Sequence, residues 1–129
     1  MNRKVLLKIL ERLGSRADSV PNGREVLERL ARQPCDLILM DIQLPELDGL
    51  EATRRLHTVM PSDAAPYILA LTANARKEDY HACLDAGMQD YLSKPVRTDD
   101  LMAAMVRADD WLQFDHRATL AVAWPQLGA

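Results

Sequence analysis

Residues 36–49 read DLILMDIQLPELDG, and this stretch decides the fold. One acid is followed by an unbroken apolar run, Leu37-Ile38-Leu39-Met40, which Asp41 closes. A short apolar run beside turn signals fits a strand buried on both faces, as in a parallel sheet. Pro45 and Gly49 mark the acid-rich segment 41–49 as a loop, and a helix is predicted from about Leu50 to Val59. Beyond a linker from Pro61 to Pro66, Tyr67-Ile68-Leu69-Ala70-Leu71-Thr72 is a second buried strand. Residues 76–86 are helical and stop at Gly87. Tyr91-Leu92 is a short strand leading into Ser93-Lys94-Pro95, and Thr98 or Asp99 can cap a last helix from about Asp100 to Leu112. Toward the N-terminus, residues 24–33 place Val26, Leu27 and Leu30 on one helical face, with Asn22 as cap and Pro34 as stop. Ala17–Val20 is a weak strand candidate. Val5, Leu6, Ile9, Leu10 and Leu13 have helical spacing, and Gly14 is placed to end that helix. Strands alternating with helices of this length predict an α/β fold, a parallel sheet with helices on both faces.

The 129 residues suit one domain, and an apolar share of 48% suffices for a core. Net charge is −3 with the basic residues dispersed, which argues against a nucleic-acid surface. No apolar stretch approaches the roughly 20 residues that span a bilayer. Residues 1–13, MNRKVLLKILERL, alternate charged and apolar positions unlike a signal peptide, so a cytoplasmic location is expected. Cys35 and Cys83 lack metal-site spacing and read as buried, reduced thiols.

In an open parallel sheet the cleft lies beyond the carboxyl ends of the strands. Asp41, Thr72 and Lys94 each stand at such an end. A carboxylate can take a phosphoryl group as an acyl phosphate. An ammonium and a hydroxyl can hold the phosphoryl oxygens. Taken singly, Asp41 could cap a turn, Thr72 could satisfy backbone and Lys94 could be a solvated lysine. Three such residues on one rim argue for a site. His57, His81 and His116 each read as surface histidines.

The stretch 36–56, DLILMDIQLPELDGLEATRRL, resembles the phosphoacceptor segment of response-regulator receiver domains. LTANA (71–75) resembles their switch-hydroxyl segment, and DYLSKP (90–95) their lysine segment. The resemblance runs from about Asn2 to Leu112 and is nearest to receivers attached to hybrid sensor histidine kinases. It implies a flavodoxin-like fold and a role in phosphorelay signalling. Asp41 would be the phosphoacceptor, Thr72 the switch hydroxyl, Lys94 the phosphoryl-contacting lysine, and Tyr91 the switch aromatic. The Gln43 carbonyl would join Asp41 in holding Mg²⁺, and Lys94–Pro95 would be cis. The implied partners are a histidine kinase or histidine phosphotransfer protein, and a homodimer is an open arrangement.

Receivers begin with an apolar strand ending in two or three acids. Here Met1 stands directly before Asn2-Arg3-Lys4-Val5, which resembles the start of the helix that follows. The first strand and its acidic pair are therefore expected to be missing from residues 1–112, a truncated receiver. Mg²⁺ wants near-octahedral oxygen ligands with one or two carboxylates, so its binding should be weak. Glu46 and Asp48 are the nearest further acids in the sequence. In the order 2-1-3-4-5 the missing strand is internal, and its loss would expose two edges. Four large apolar side chains are worth about 6–12 kcal/mol at ~1.5–3 each, against a domain stability of about 5–15 kcal/mol. Something should fill the gap. Within the extension 113–129, residues 117–124 carry the apolar run Thr119–Trp124, which could enter the slot as a parallel strand, from the same chain or a partner. It could equally prolong the last helix or pack as coil. In the slot, Trp124-Pro125-Gln126 would replace the acids.

Two functions compete: a weakened phosphoacceptor at Asp41, and a pseudo-receiver that keeps the fold for protein interaction or dimerisation. A third account is an N-terminally shortened form of a longer parent. A hydrolytic enzyme fits poorly, for no nucleophile–base pair stands out.

Overall fold

The computed structural model describes residues 3–12, 16–60, 65–73, 76–112 and 119–124. The elements in chain order are α1 (Arg3–Arg12), β1 (Arg16–Val20), α2 (Gly23–Arg32), β2 (Leu37–Asp41), α3 (Gly49–Val59), β3 (Tyr67–Thr72), α4 (Lys77–Ala86), β4 (Asp90–Ser93), α5 (Thr98–Leu112) and β5 (Thr119–Ala123). The strands form one five-stranded sheet in the order β1-β5-β2-β3-β4, and every neighbouring pair is parallel.

Strand parity builds two cores. Leu37, Leu39, Leu69, Leu71, Leu120 and Val122 face one side and meet Leu6 and Leu10 of α1 and Leu101, Ala104 and Ala108 of α5. Ile38, Met40, Ile68, Ala70, Ala121 and Ala123 face the other and meet Val26 of α2, Ala52 and Leu56 of α3 and Cys83 of α4. A strand buried on both faces is apolar along its interior, which is why β2, β3 and β5 read as continuous runs, with the buried polar residues Asp41 and Thr72 only at strand ends. Edge strand β1 tolerates the exposed Asp18 and Ser19. Burial pushes the Cys35 thiol up to about 11, and both cysteines are unbridged.

Local signals set the element ends. The Asn22 carboxamide accepts from the Glu25 amide at 2.9 Å and opens α2. The Asp48 carboxylate does the same for α3 through the Glu51 amide at 2.8 Å. Gly87 caps α4 at φ 106°, a left-handed conformation that favours glycine. One cap expectation needs correcting. The first α5 bond runs from the Leu101 amide to the Arg97 carbonyl at 2.9 Å, so Thr98 is the first helical residue rather than the cap.

The tail does fill the internal slot, between β1 and β2. Leu120–Ala123 pair with Leu37–Met40 on one side, and Thr119–Ala123 pair with Arg16–Val20 on the other. The strand spans Thr119–Ala123 of the expected 117–124, and residues 117 and 118 lie outside the described residues, as do Leu13 and Gly14. The gap is closed rather than left as two exposed edges, because β5 hydrogen-bonds to both strands that would have flanked it. The slot is filled from within one chain, with no need of a partner. No helix among the described residues is long and apolar enough to cross a membrane.

Candidate functional site

Parallel strands bring their carboxyl ends to one rim. Asp41 ends β2, Thr72 ends β3, Lys94 follows β4 and Trp124 follows β5. Register aligns Asp41 with Leu71 and Thr72 with Ser93. The Lys94 amide donates to the Thr72 carbonyl at 2.7 Å, tying the turn after β4 to the end of β3. The peptide between Lys94 and Pro95 is cis, as expected.

Asp41 is 2% exposed. A buried carboxylate requires compensation, and two groups provide it. Its Oδ1 accepts from the Gln43 amide at 2.9 Å, and its Oδ2 is paired with the Lys94 ammonium. The Ile42 amide donates to the Leu71 carbonyl at 3.0 Å and fixes the start of the loop. The Gly49 amide closes that loop on the Ile42 carbonyl at 2.9 Å. Lys94 has a second contact: its Nζ lies 4.7 Å from the centroid of the Trp124 ring.

Not every expected residue joins this centre. Asp41 and Lys94 meet directly. Thr72 is buried at the rim and linked to Lys94 through backbone. Gln43 contributes its amide, and its side chain is exposed. Tyr91 is half-buried on β4, with its ring 4.8 Å from that of Tyr80 on α4. Glu46 and Asp48 are committed elsewhere. Glu46 adopts φ 64° and pairs with Arg24 at 3.3 Å, while Asp48 caps α3. No group of three or more His, Cys, Asp or Glu among the described residues could hold a metal ion. One carboxylate already bonded to an ammonium does not fit a magnesium site of the usual kind.

Sequence reasoning missed the contact of Trp124 with Lys94, although it did place Trp124 at the end of a slot-filling strand. It also missed the ion pair of Arg29 with Asp18 at 2.8 Å, which binds α2 to β1. Asp48 followed by Glu51 was a readable capping signal. No local pattern marks Arg29, whose partner lies one element away.

The model of the response regulator receiver domain matches residues 1–106. The chain is 41% identical over 116 residues to hybrid signal transduction histidine kinase H of Dictyostelium discoideum, which covers 87% of this chain and 8% of that protein. It is 38% identical over 120 residues to the aerobic respiration control sensor protein ArcB of Escherichia coli K12, 93% of this chain and 15% of that protein. The chain thus spans a small part of these relatives. Among solved structures it is similar to the receiver domain of a sensor histidine kinase from Pseudomonas aeruginosa PAO1, which has a magnesium ion coordinated in its active-site cleft. That match has a TM-score of 0.74 and 38% identity and covers 88% of this chain and 89% of that one. It is also similar to the receiver domain of a Saccharomyces cerevisiae response regulator, co-crystallised with its histidine phosphotransfer protein. There the TM-score is 0.74, the identity 28%, and the coverage 86% of this chain and 81% of that one.

Proposed function

We propose, from the premise that this chain belongs to the response regulator receiver family, that Asp41 accepts a phosphoryl group. The donor is a phosphohistidine on a histidine kinase or histidine phosphotransfer protein. The observation that carries the reading is the buried Asp41 carboxylate at the end of β2, paired with the ammonium of Lys94.

The carboxylate Oδ1 is anchored on backbone, so Oδ2 is the attacking atom. It donates an electron pair to phosphorus as the phosphorus–nitrogen bond to the donor histidine breaks. The imidazole leaves with the electron pair of the broken phosphorus–nitrogen bond, and the aspartyl phosphate remains. Lys94 moves from Oδ2 onto the phosphoryl oxygens, as an ammonium on a flexible stem can. Thr72, at the same rim, is placed to hydrogen-bond them, and Tyr91 is the aromatic that responds. A magnesium ion would find only Asp41 and the Gln43 carbonyl, so any such ion would be held weakly. The module is an acceptor rather than an enzyme. Its unbridged buried cysteines suit a cytoplasmic setting.

The test is incubation with acetyl phosphate followed by intact mass. An adduct of about 80 Da, an HPO₃ group, is expected and should vanish in Asp41→Asn. A second reading, an interaction module without phosphorylation, is favoured by one observation: Lys94 already pairs with Oδ2 and lies against Trp124. A cooperatively folded protein that takes no adduct would establish that reading instead.

A further inference from the structure

We infer that Trp124 is a positioning residue that holds the Lys94 ammonium at Asp41, so that the neutralising charge comes from the chain itself and transfer requires no divalent cation. The inference rests on the phosphoacceptor reading of Asp41.

The register supports it first. Ala123 pairs with Met40 and with Val20, and the Trp124 amide then donates to the Val20 carbonyl at 3.1 Å. Trp124 is one place beyond Ala123, as Asp41 is one place beyond Met40, so the two stand level at the rim. Leu120, Val122 and Trp124 share a face and one core cluster, and Trp124 is 7% exposed. Its ring is therefore fixed by packing.

The chemistry follows. The Lys94 ammonium lies 4.7 Å from the ring centroid, within the roughly 6 Å over which a ring attracts a cation, and tryptophan does this best. Lysine has a flexible stem with much rotamer freedom. Contacts with both the ring and the carboxylate keep it at the rim. Indole has an N–H donor and no acceptor, so Trp124 cannot ligate a metal. A carboxylate at this position would recruit a divalent cation, whereas the ring retains the monovalent one supplied by Lys94.

With acetyl phosphate the step balances without a metal. Oδ2 of Asp41 forms the new bond to phosphorus, the bond from phosphorus to the acetyl oxygen breaks, and acetate leaves with the electron pair. The ammonium shifts to the phosphoryl oxygens and transfers no proton.

The experiment follows adduct formation by intact mass, in excess MgCl₂ and in excess chelator, with MgCl₂ calorimetry alongside. The natural chain should react equally in both conditions and show no saturable heat. Trp124→Leu should slow transfer about tenfold, the order of a cation–π contact, and Trp124→Tyr should restore most of it. Trp124→Asp should gain saturable magnesium heat and become chelator-sensitive. In a Trp111→Phe background, Lys94→Met should shift the Trp124 emission. Saturable heat in the natural chain that Asp41→Asn removes would overturn the inference. So would a chelator that stops transfer, or an emission indifferent to Lys94. If Trp124→Leu does not fold, the natural chain's magnesium response and the emission arm still decide. An adduct that persists in Asp41→Asn, or none under any condition, instead sinks the phosphoacceptor reading. The calorimetry and emission arms stand apart from it.

Discussion

Ending the chain at Leu112 removes β5 and should leave a protein that no longer unfolds cooperatively. The loss can be sized from the structure. Leu120, Val122 and Trp124 are large and buried, and Ala121 and Ala123 are buried beside them. At about 1.5–3 kcal/mol for each large side chain, the three contribute about 5–9 kcal/mol. That is most or all of a typical stability of about 5–15 kcal/mol. The loss also strips β1 of its strand partner, because β1 pairs with β5. Far-UV circular dichroism through a thermal melt measures the outcome. A synthetic peptide of residues 117–129, added back, should restore a transition. A milder version replaces Leu120 by alanine, which should cost about 2–5 kcal/mol. Val59→Ala, on a residue that is 76% exposed, should stay within about 0.5 kcal/mol. A shortened chain that melts within a few degrees of the full chain would refute the reasoning, and so would equal costs for Leu120→Ala and Val59→Ala.

Other outcomes follow from single sites. Burial, with Asp90 nearby, pushes the Tyr67 hydroxyl up to about 12. An unfolded tyrosine ionises near pH 10, so this contribution is present below pH 10 and is lost as pH rises through 12. It amounts to roughly 2–3 kcal/mol, and Tyr67→Phe should flatten the alkaline limb of urea stability between those values. Gly87→Ala should cost about 1–3 kcal/mol for its left-handed backbone, and more because the new Cβ meets the His57 ring. His57→Ala in the same chain should relieve only the clash, which denaturant titration can separate. With burial raising Cys35 to about 11, the thiol should resist alkylation at pH 8 until the protein unfolds, as mass-monitored labelling would show.

The strands that face helices on both sides were legible because the interior of a doubly buried strand is apolar, and Leu37–Met40 and Tyr67–Leu71 show this without interruption. The triad of Asp41, Thr72 and Lys94 was legible because parallel strands must deliver their last residues to one rim. The tail was not decidable from its own pattern. Thr119–Trp124 suits a strand or a helix extension, and the choice is made by a slot formed by residues about 80–100 positions earlier. The helix start at Thr98 was misjudged because Thr98 and Asp99 are both good caps, and the backbone of Arg97 took the position. The ring of Trp124 on Lys94 was beyond reach for a related reason: a contact across strands becomes visible only once register is known.

The strand order has a consequence for synthesis. Among the described residues, β5 alone hydrogen-bonds to both β1 and β2, yet it lies C-terminal to the other four strands. On the ribosome, the β1–α2 unit and the β2–β3–β4 unit must wait as separate pieces until residues 119–124 emerge, and then close around them. Their meeting depends on pairings of high sequence separation, which form slowly. The nascent chain therefore keeps the apolar groove between β1 and β2 open until residues 119–124 emerge, and a product stalled before them would carry the exposed groove to the chaperones and proteases.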